Sequence, residues 1–172
     1  MQNYTLIIQK GDSVPVDTFE TYGIACRQVP FRFIGDTKEL PMRDWFDEHG
    51  EDTFIPDSLK FKSYELELEF AYLGQELATN PFNLSLAKTN ISSFIKWLTG
   101  NDGNGNTGAT LKIYSPYTSI GRQGCYLLSI SDEDPYLMLK EEAGNLYNEN
   151  VVTFKARFNV TDPISEWVPD YE

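Results

Sequence analysis

The chain has 172 residues, of which 41% are hydrophobic and 14% aromatic, and its formal net charge is −12. A chain of this length and apolar content can bury a core without disulfide or metal staples, so we expect one domain over residues 1–172. The negative charge repels phosphate groups, which argues against nucleic-acid binding and against docking on anionic membranes.

The first third of the chain contains short strands and turn-rich segments. Strands are predicted at residues 4–9 and 22–29, where apolar and β-branched residues are bounded by glycine or proline. Residues 43–56 are acidic and have no helical period, so we expect a surface loop that runs into a short strand at residues 53–55.

Two longer segments alternate apolar and charged residues. Residues 62–73 read KSYELELEFAYL and present glutamates on one face, whereas residues 151–161 read VVTFKARFNVT and present Lys155 and Arg157. A period of two with one apolar face is typical of half-buried strands. Opposite charges stabilise facing strands by a few tenths to about 1 kcal/mol per pair. We therefore predict that these strands are antiparallel neighbours in a mainly β protein, an antiparallel β-sandwich or half-barrel.

One helix is predicted, at about residues 90–99, and it packs against the sheet. Asn90 can cap its first turn, Gly100 suits the left-handed position after its end, and the apolar stripe consists of Ile91, Phe94, Ile95 and Leu98. Because the helix is short, its stability must come from packing.

The rest of the chain contains two more predicted strands, at residues 111–114 and 125–131, separated by a turn or bulge at Gly121–Gly124. Residues 132–150 are polar, and we expect a long loop or a short helix there. Residues 162–172 form an acidic, aromatic C-terminal tail.

Candidate chemical groups do not form a recognisable site. Cys26 and Cys125 are the two cysteines, most simply buried free thiols, with a single disulfide as the alternative. His49 is the sole histidine and lies among carboxylates whose spacing matches no metal pattern. We therefore predict no catalytic, cofactor-binding or metal-binding residues, and no enzymatic activity.

Short segments distributed along the chain resemble, in their order, the distal-tail or tail-tube-like structural proteins of phage tails from prophages of gut bacteria. Long strand, helix, hairpin and final long strand follow one another over nearly the whole chain. The segments are FETYGI at residues 19–24, RDW at 43–45, GED at 50–52, the strand from Tyr64, the helix from Ile91, KIY at 112–114, GRQG at 121–124, and the last strand with TDP at 161–163.

The resemblance implies a ring-forming structural protein. Copies would form a homo-oligomeric ring, with a hexamer expected, in the tail tube or at its distal end, next to tail-tube or baseplate-hub proteins. The location would be the virion tail, after synthesis in the bacterial host cytoplasm without an export signal. A negatively charged lumen would let DNA pass without adhering.

Aromatic residues are the predicted intersubunit contacts, since they are enriched in interface cores: Trp45, Phe46, Trp167 and Tyr171. For Trp45, covering the protein's own core is an equal alternative. For the tail we favour the interface, because an isolated tail has little to bury against. The alternative function is a carbohydrate-binding β-sandwich module, and a hydrolase is a third class, for which the sequence supplies no pocket residues.

Overall fold

The chain is mainly β-stranded in the computed structural model, which describes residues 5–28, 31–33, 35–47, 49–74, 84–104, 110–134, 138–142, 145–149 and 152–170. The strands are β1 (Ile7–Lys10), β2 (Val16–Asp17), β3 (Ile24–Gln28), β4 (Met42–Asp44), β5 (Glu51–Thr53), β6 (Tyr64–Tyr72), β7 (Leu111–Ser115), β8 (Ile120–Asp134), β9 (Met138–Glu142), β10 (Asn145–Glu149) and β11 (Val152–Val160). The helices are α1 (Thr18–Tyr22) and α2 (Leu84–Thr99). Neither has the length and apolar character to cross a membrane, a finding that concerns the described residues alone.

Seven strands form one antiparallel sheet in the order β2-β1-β7-β8-β11-β6-β3. The predicted pairing of the two charged strands is confirmed, since β11 lies antiparallel to β6 with Phe154 opposite Phe70 and Arg157 opposite Glu67. The mainly β, antiparallel fold class with a packed helix is also confirmed, and the described strands form an open sheet without barrel closure.

The core lies between one face of this sheet and α2. Ala87, Phe94 and Leu98 of the helix are buried against strand residues of the alternating apolar face. The Phe94 ring centroid is 5.5 Å from that of Phe70 and 6.1 Å from that of Phe154. Aromatic pairs at this separation add to the stabilisation from area burial alone.

The opposite face of the sheet is a band of ion pairs. Lys155 Nζ lies 3.5 Å from Glu67 Oε1, and Arg157 Nη1 lies 3.8 Å from Glu65 Oε2. Both pairs run diagonally, since the register places Lys155 opposite Glu69 and Arg157 opposite Glu67. Each exposed pair contributes at most about 1 kcal/mol. Their main consequence is a charge-balanced face.

Helix α2 begins earlier than predicted. The cap assigned to Asn90 is wrong: this residue lies inside the helix, and its Nδ2 donates a hydrogen bond to the Tyr72 hydroxyl at 3.3 Å. Ala87 lies four residues before Ile91 and extends the buried stripe towards the N-terminus. Packing on the sheet therefore decides where the helix lies, overriding a favourable local cap.

Helix α1 occupies the start of the segment predicted as a strand at residues 22–29. Asp17 caps it, with Oδ1 accepting from the backbone N–H of Phe19 at 2.8 Å and of Glu20 at 2.9 Å. Gly23, at φ 68°, ends the helix before β3 begins. The Asp17 cap and the following Gly23 are start and stop signals that the sequence prediction missed.

The prediction of a loop or short helix at residues 132–150 is wrong. Strand β8 continues to Asp134, and β9 pairs with β10 from Asn145 opposite Glu142 to Glu149 opposite Met138. The predicted bulge at Gly121–Gly124 is confirmed by a register shift between β7 and β8 and by φ 67° at Gly124.

Both cysteines are buried free thiols, as predicted. Burial raises the pKa of Cys26 and of Cys125 from 9.0 to about 12. From pH 9 upwards the unfolded thiols lose protons that the folded thiols keep, so these groups lower the free energy of unfolding as the pH rises towards 12.

We predict that Ellman's reagent at pH 8 labels neither thiol rapidly in the native protein and labels two per chain after unfolding in guanidinium. The physical reason is that reaction requires an accessible thiolate. A Cys125→Ser variant should bind one equivalent after unfolding. Fast labelling of the native protein would contradict the burial of these side chains.

The C-terminus of α2 is held by a buried lysine. Lys10 is 5% exposed, and its Nζ donates to the Trp97 carbonyl at 2.6 Å while lying 5.6 Å from the centroid of the Trp97 ring. A cation at the last turn also interacts favourably with the helix dipole.

We predict that Lys10→Met lowers the free energy of unfolding by about 1.5–3 kcal/mol, the range for hydrogen bonds to charged groups. Urea denaturation measures this. The control is Lys112→Met, which removes a lysine whose Nζ is 3.8 Å from exposed Asp12 and should cost less than about 1 kcal/mol. Equal losses in the two variants would refute the role of Lys10.

Candidate assembly surface

The described residues between 35 and 62 form a long hairpin, here called the arm, between β3 and β6. At its root, Lys62 N–H donates to the Asp36 carbonyl and Lys38 N–H to the Lys60 carbonyl, both at 2.7 Å. Towards its tip, β4 pairs with β5 from Met42 opposite Thr53 to Asp44 opposite Glu51. The prediction of a loop at residues 43–56 with a strand at 53–55 is therefore wrong. The segment is a hairpin, and the second of its two strands ends at Thr53.

The arm carries large apolar side chains in solvent. The exposed fractions are 60% for Met42, 41% for Trp45, 100% for Phe46, 67% for Phe54 and 75% for Ile55. A two-stranded hairpin is marginally stable alone, and apolar patches of this kind mark interaction sites on soluble proteins.

The two predicted contact residues of the arm lie next to each other near its tip. The Trp45 ring lies under the Arg43 guanidinium, whose Cζ is 4.8 Å from the ring centroid. Neither Trp45 nor Phe46 belongs to the buried cluster found among the described residues. The sequence prediction missed the other exposed apolar residues of the arm. The available signal was Gly50, a turn residue with φ 92° between β4 and β5.

A buried arginine holds the root of the arm to the sheet. Arg122 on β8 is 2% exposed, and its Nη2 donates to the Arg32 carbonyl at 3.0 Å, just before the arm begins. The Arg32 guanidinium lies 5.4 Å from the Tyr64 ring centroid, at the start of β6. Burial raises the pKa of Tyr64, an effect that the positive charge of Arg122 partly opposes. Arg122 thus links β8, β6 and the arm.

The C-terminal tail packs against its own sheet. Asp162 Oδ1 accepts from the backbone N–H of Ile164 at 3.2 Å and of Ser165 at 3.0 Å, and the Ser165 hydrogen bond is the largest cause of the lowered pKa of Asp162. Further along, Trp167 N–H lies 3.4 Å from the Gly121 carbonyl. A Cβ at Gly121 would lie 1.9 Å from the Trp167 carbonyl oxygen, so only glycine allows this approach.

The structure therefore separates the four predicted contact residues. Trp45 and Phe46 lie together on the arm, whereas half-buried Trp167 lies on the tail above β8. Tyr171 lies outside the described residues. The expectation that the tail has little to bury against is wrong, since Pro169 is buried. The arm is consequently the stronger candidate for contacts with other chains.

The sole histidine, His49, is exposed near the tip of the arm. Among the described residues, no three His, Cys, Asp or Glu side chains are grouped so that they could hold a metal ion. The exposed groups of the arm that bear on function are therefore its apolar side chains and its carboxylates.

No protein-family model matches the chain, and no curated protein matches it. Among solved structures, it is similar to the Dit (gp 19.1) protein of SPP1, described as a paradigm of the hub adsorption apparatus in phages that infect Gram-positive bacteria. The TM-score is 0.53 at 12% identity, over 92% of this chain and 50% of that one. The chain thus spans half the length of that protein, and the two share a fold.

Two further solved structures are similar at lower scores. They are a chain of the PVC sheath-tube complex, with TM-score 0.34 over 94% of this chain and 88% of that one, and the anti-feeding prophage tube-terminating cap, with 0.32 over 94% and 87%. Each is 10% identical to this chain. Scores this low support no inference.

We predict that Gly121→Ala displaces the tail from β8, because the added methyl group overlaps the Trp167 carbonyl. Hydrogen exchange at residues 162–170 should accelerate, and overpacking should cost about 1–3 kcal/mol. The control is Gly35→Ala, whose new Cβ meets no atom closer than 3.4 Å. Unchanged exchange of the tail in Gly121→Ala would contradict the packing described above.

Proposed function

We propose that this chain is a structural component of a phage tail, a distal-tail or tail-tube-like subunit that assembles with copies of itself into a ring. It acts by self-assembly and by docking to adjacent tail-tube or baseplate-hub proteins in the virion tail, and this role requires no catalysis. A hexamer is the stoichiometry we propose, and an origin in a prophage of gut bacteria stays a prediction from the sequence resemblance.

The exposed arm is the observation that carries this proposal. An apolar, two-stranded segment in water lacks the third strand or the packed partner that such a ribbon needs for stability. Docking of the arm on another chain supplies that partner and removes apolar surface from water, at roughly 25 cal/mol per Å² buried. Arg122 donates to the Arg32 carbonyl just before the arm and so holds the point at which the arm leaves the sheet.

The ends of the seven-stranded sheet give a second line of support. Within the described part of the chain, β2 pairs with β1 alone and β3 pairs with β6 alone. Unpaired strand edges are templates for strands from other chains. Opposite edges on one subunit suit a head-to-tail arrangement, which closes into a ring when the rotation permits.

The fold shared with half of the SPP1 Dit protein supports the distal-tail version of the proposal. Because fold alone does not fix function, the arm and the edges carry more weight. A tube subunit fits the same two features, and the ring test below applies equally to it.

The distribution of charge along the chain determines which segments could give such a ring a negatively charged lumen for DNA. Residues 35–62, 132–150 and 162–172 contain 18 of the 26 acidic residues and only five of the 14 basic ones, so the remainder of the chain is nearly neutral. The outer face of the sheet is itself charge-balanced by its ion pairs. A negatively charged lumen therefore requires one of these three acidic segments, rather than the sheet face, to line the channel.

The first test is size-exclusion chromatography with light scattering at high protein concentration, with negative-stain images of the peak. We expect a discrete ring, and six chains of 19.7 kDa give about 118 kDa. A monomer at every concentration and salt condition would contradict the proposed self-assembly.

We further predict that Trp45→Ser with Phe46→Ser weakens ring formation by at least about 30-fold, since a buried aromatic hot spot contributes about 2 kcal/mol or more. Concentration-dependent light scattering measures the change. The control is Tyr117→Ser, which removes an aromatic residue of 69% exposure outside the arm. If the control impairs assembly as much as the arm variant does, the arm is not the specific contact.

A further inference from the structure

The tip of the arm is strongly acidic. Residues 43–57 contain six acidic residues and one basic residue, Arg43. Five of these carboxylates lie in the described part of the chain, where none of them forms an ion pair: Asp44, Asp47, Glu51, Asp52 and Asp57. The guanidinium of Arg43 lies over the Trp45 ring. Two of them, Asp44 and Glu51, are directly opposite in the ladder. Like charges in that position repel, and a facing cation would relieve the repulsion.

Helix α2 has the opposite character on its outer face. Its 16 residues include Lys88 and Lys96 and no acidic residue, and both lysines are exposed. They are eight positions apart with exposed Ser92 between them, so they follow one stripe of the helix over about 12 Å. Lys96 lies opposite the stripe that packs on the sheet, and Lys88 lies about a quarter-turn from that stripe.

The other cations outside the arm already have partners. Arg27, Arg32, Lys112, Lys155 and Arg157 each lie within 4 Å of a carboxylate, and Lys10 and Arg122 are buried and donate to carbonyl groups. Among the cations outside the arm whose side chains the structure describes, only Lys88 and Lys96 form no such pair. The free positive charge of the described sheet and helices is therefore concentrated on α2.

We propose that the acidic tip of the arm of one copy docks on the outer face of α2 of a second copy. This inference rests on the self-assembly proposed above and names its contact. The seven steps from Thr37 to Asp44 span at most about 23 Å, a length that lets the tip contact a neighbouring chain away from the root of the arm.

Reversing the charges on each side of the proposed contact tests it. The helix variant is Lys88→Glu with Lys96→Glu, and the arm variant is Asp44→Lys with Glu51→Lys. Each alone should weaken self-association by about tenfold per reversed residue, because attraction becomes repulsion of similar size. Since all four side chains are exposed, thermal unfolding of the monomer should change little.

Mixing the two variants distinguishes a specific contact from a general effect of charge. A helix variant has acidic groups on both surfaces, whereas an arm variant keeps its basic helix and carries two lysines at a tip whose net charge changes from −5 to −1. An equimolar mixture should therefore assemble further than either variant alone, by alternating the two chains. The chain that carries all four substitutions should assemble by itself. The control, Lys38→Glu with Lys60→Glu, makes the same change in net charge at the arm root and should assemble normally.

Three outcomes would overturn the inference, and they differ in what they say of the proposed function. If the wild type forms rings and the helix variant forms them equally well, the contact is wrong and ring formation stands. If the wild type stays monomeric even at low ionic strength, both fail, and the basic face of α2 is left for a different partner. Failure of the mixture to recover assembly would also overturn the pairing of arm with helix.

Discussion

The antiparallel pairing of β6 with β11 is the constraint on which the rest of this structure depends. The two strands are about 80 residues apart in sequence, yet nine successive residues pair in register. That register sends Phe70 and Phe154 to the face covered by α2 and sends the glutamates, Lys155 and Arg157 to the other. A slip of one residue would exchange the faces of one strand and bury its charges, which no local interaction could offset.

The position of the arm depends on the central pair of strands, β6 and β11. Its chain leaves the sheet after β3 and returns at the start of β6, two strands that pair with each other. Arg122, on the other side of β11, reaches the carbonyl of Arg32 and fixes the point of departure. A scaffold with a closed apolar core thus presents a segment whose own apolar residues remain exposed. In the proposed assembly, the sheet serves as the rigid scaffold and the hairpin of the arm as the docking element.

The sequence was sufficient to predict the elements in which apolar and polar residues alternate regularly. Alternation at residues 64–72 and 152–160, with opposite charges, was sufficient for the strands, their faces and their pairing. Glycines predicted the bulge before Cys125. Other elements could not be predicted in this way. Helix α2 begins before Asn90 because Ala87 packs against the sheet, a tertiary contact. Strands β4 and β5 have three residues each, too few for a period to be recognised. In the candidate site, Trp45 and Phe46 were identifiable by residue type, whereas the packing of Trp167 depends on its close approach to Gly121.

The most direct test of the central claim is a cryo-electron microscopy map of the assembled particle. We expect a closed ring in which every subunit keeps the seven-stranded sheet and every arm lies on a neighbouring copy, with its aromatic residues covered. A ring whose arms extend into solvent, or fold back on their own subunit, would contradict the claim that the arm is the docking element.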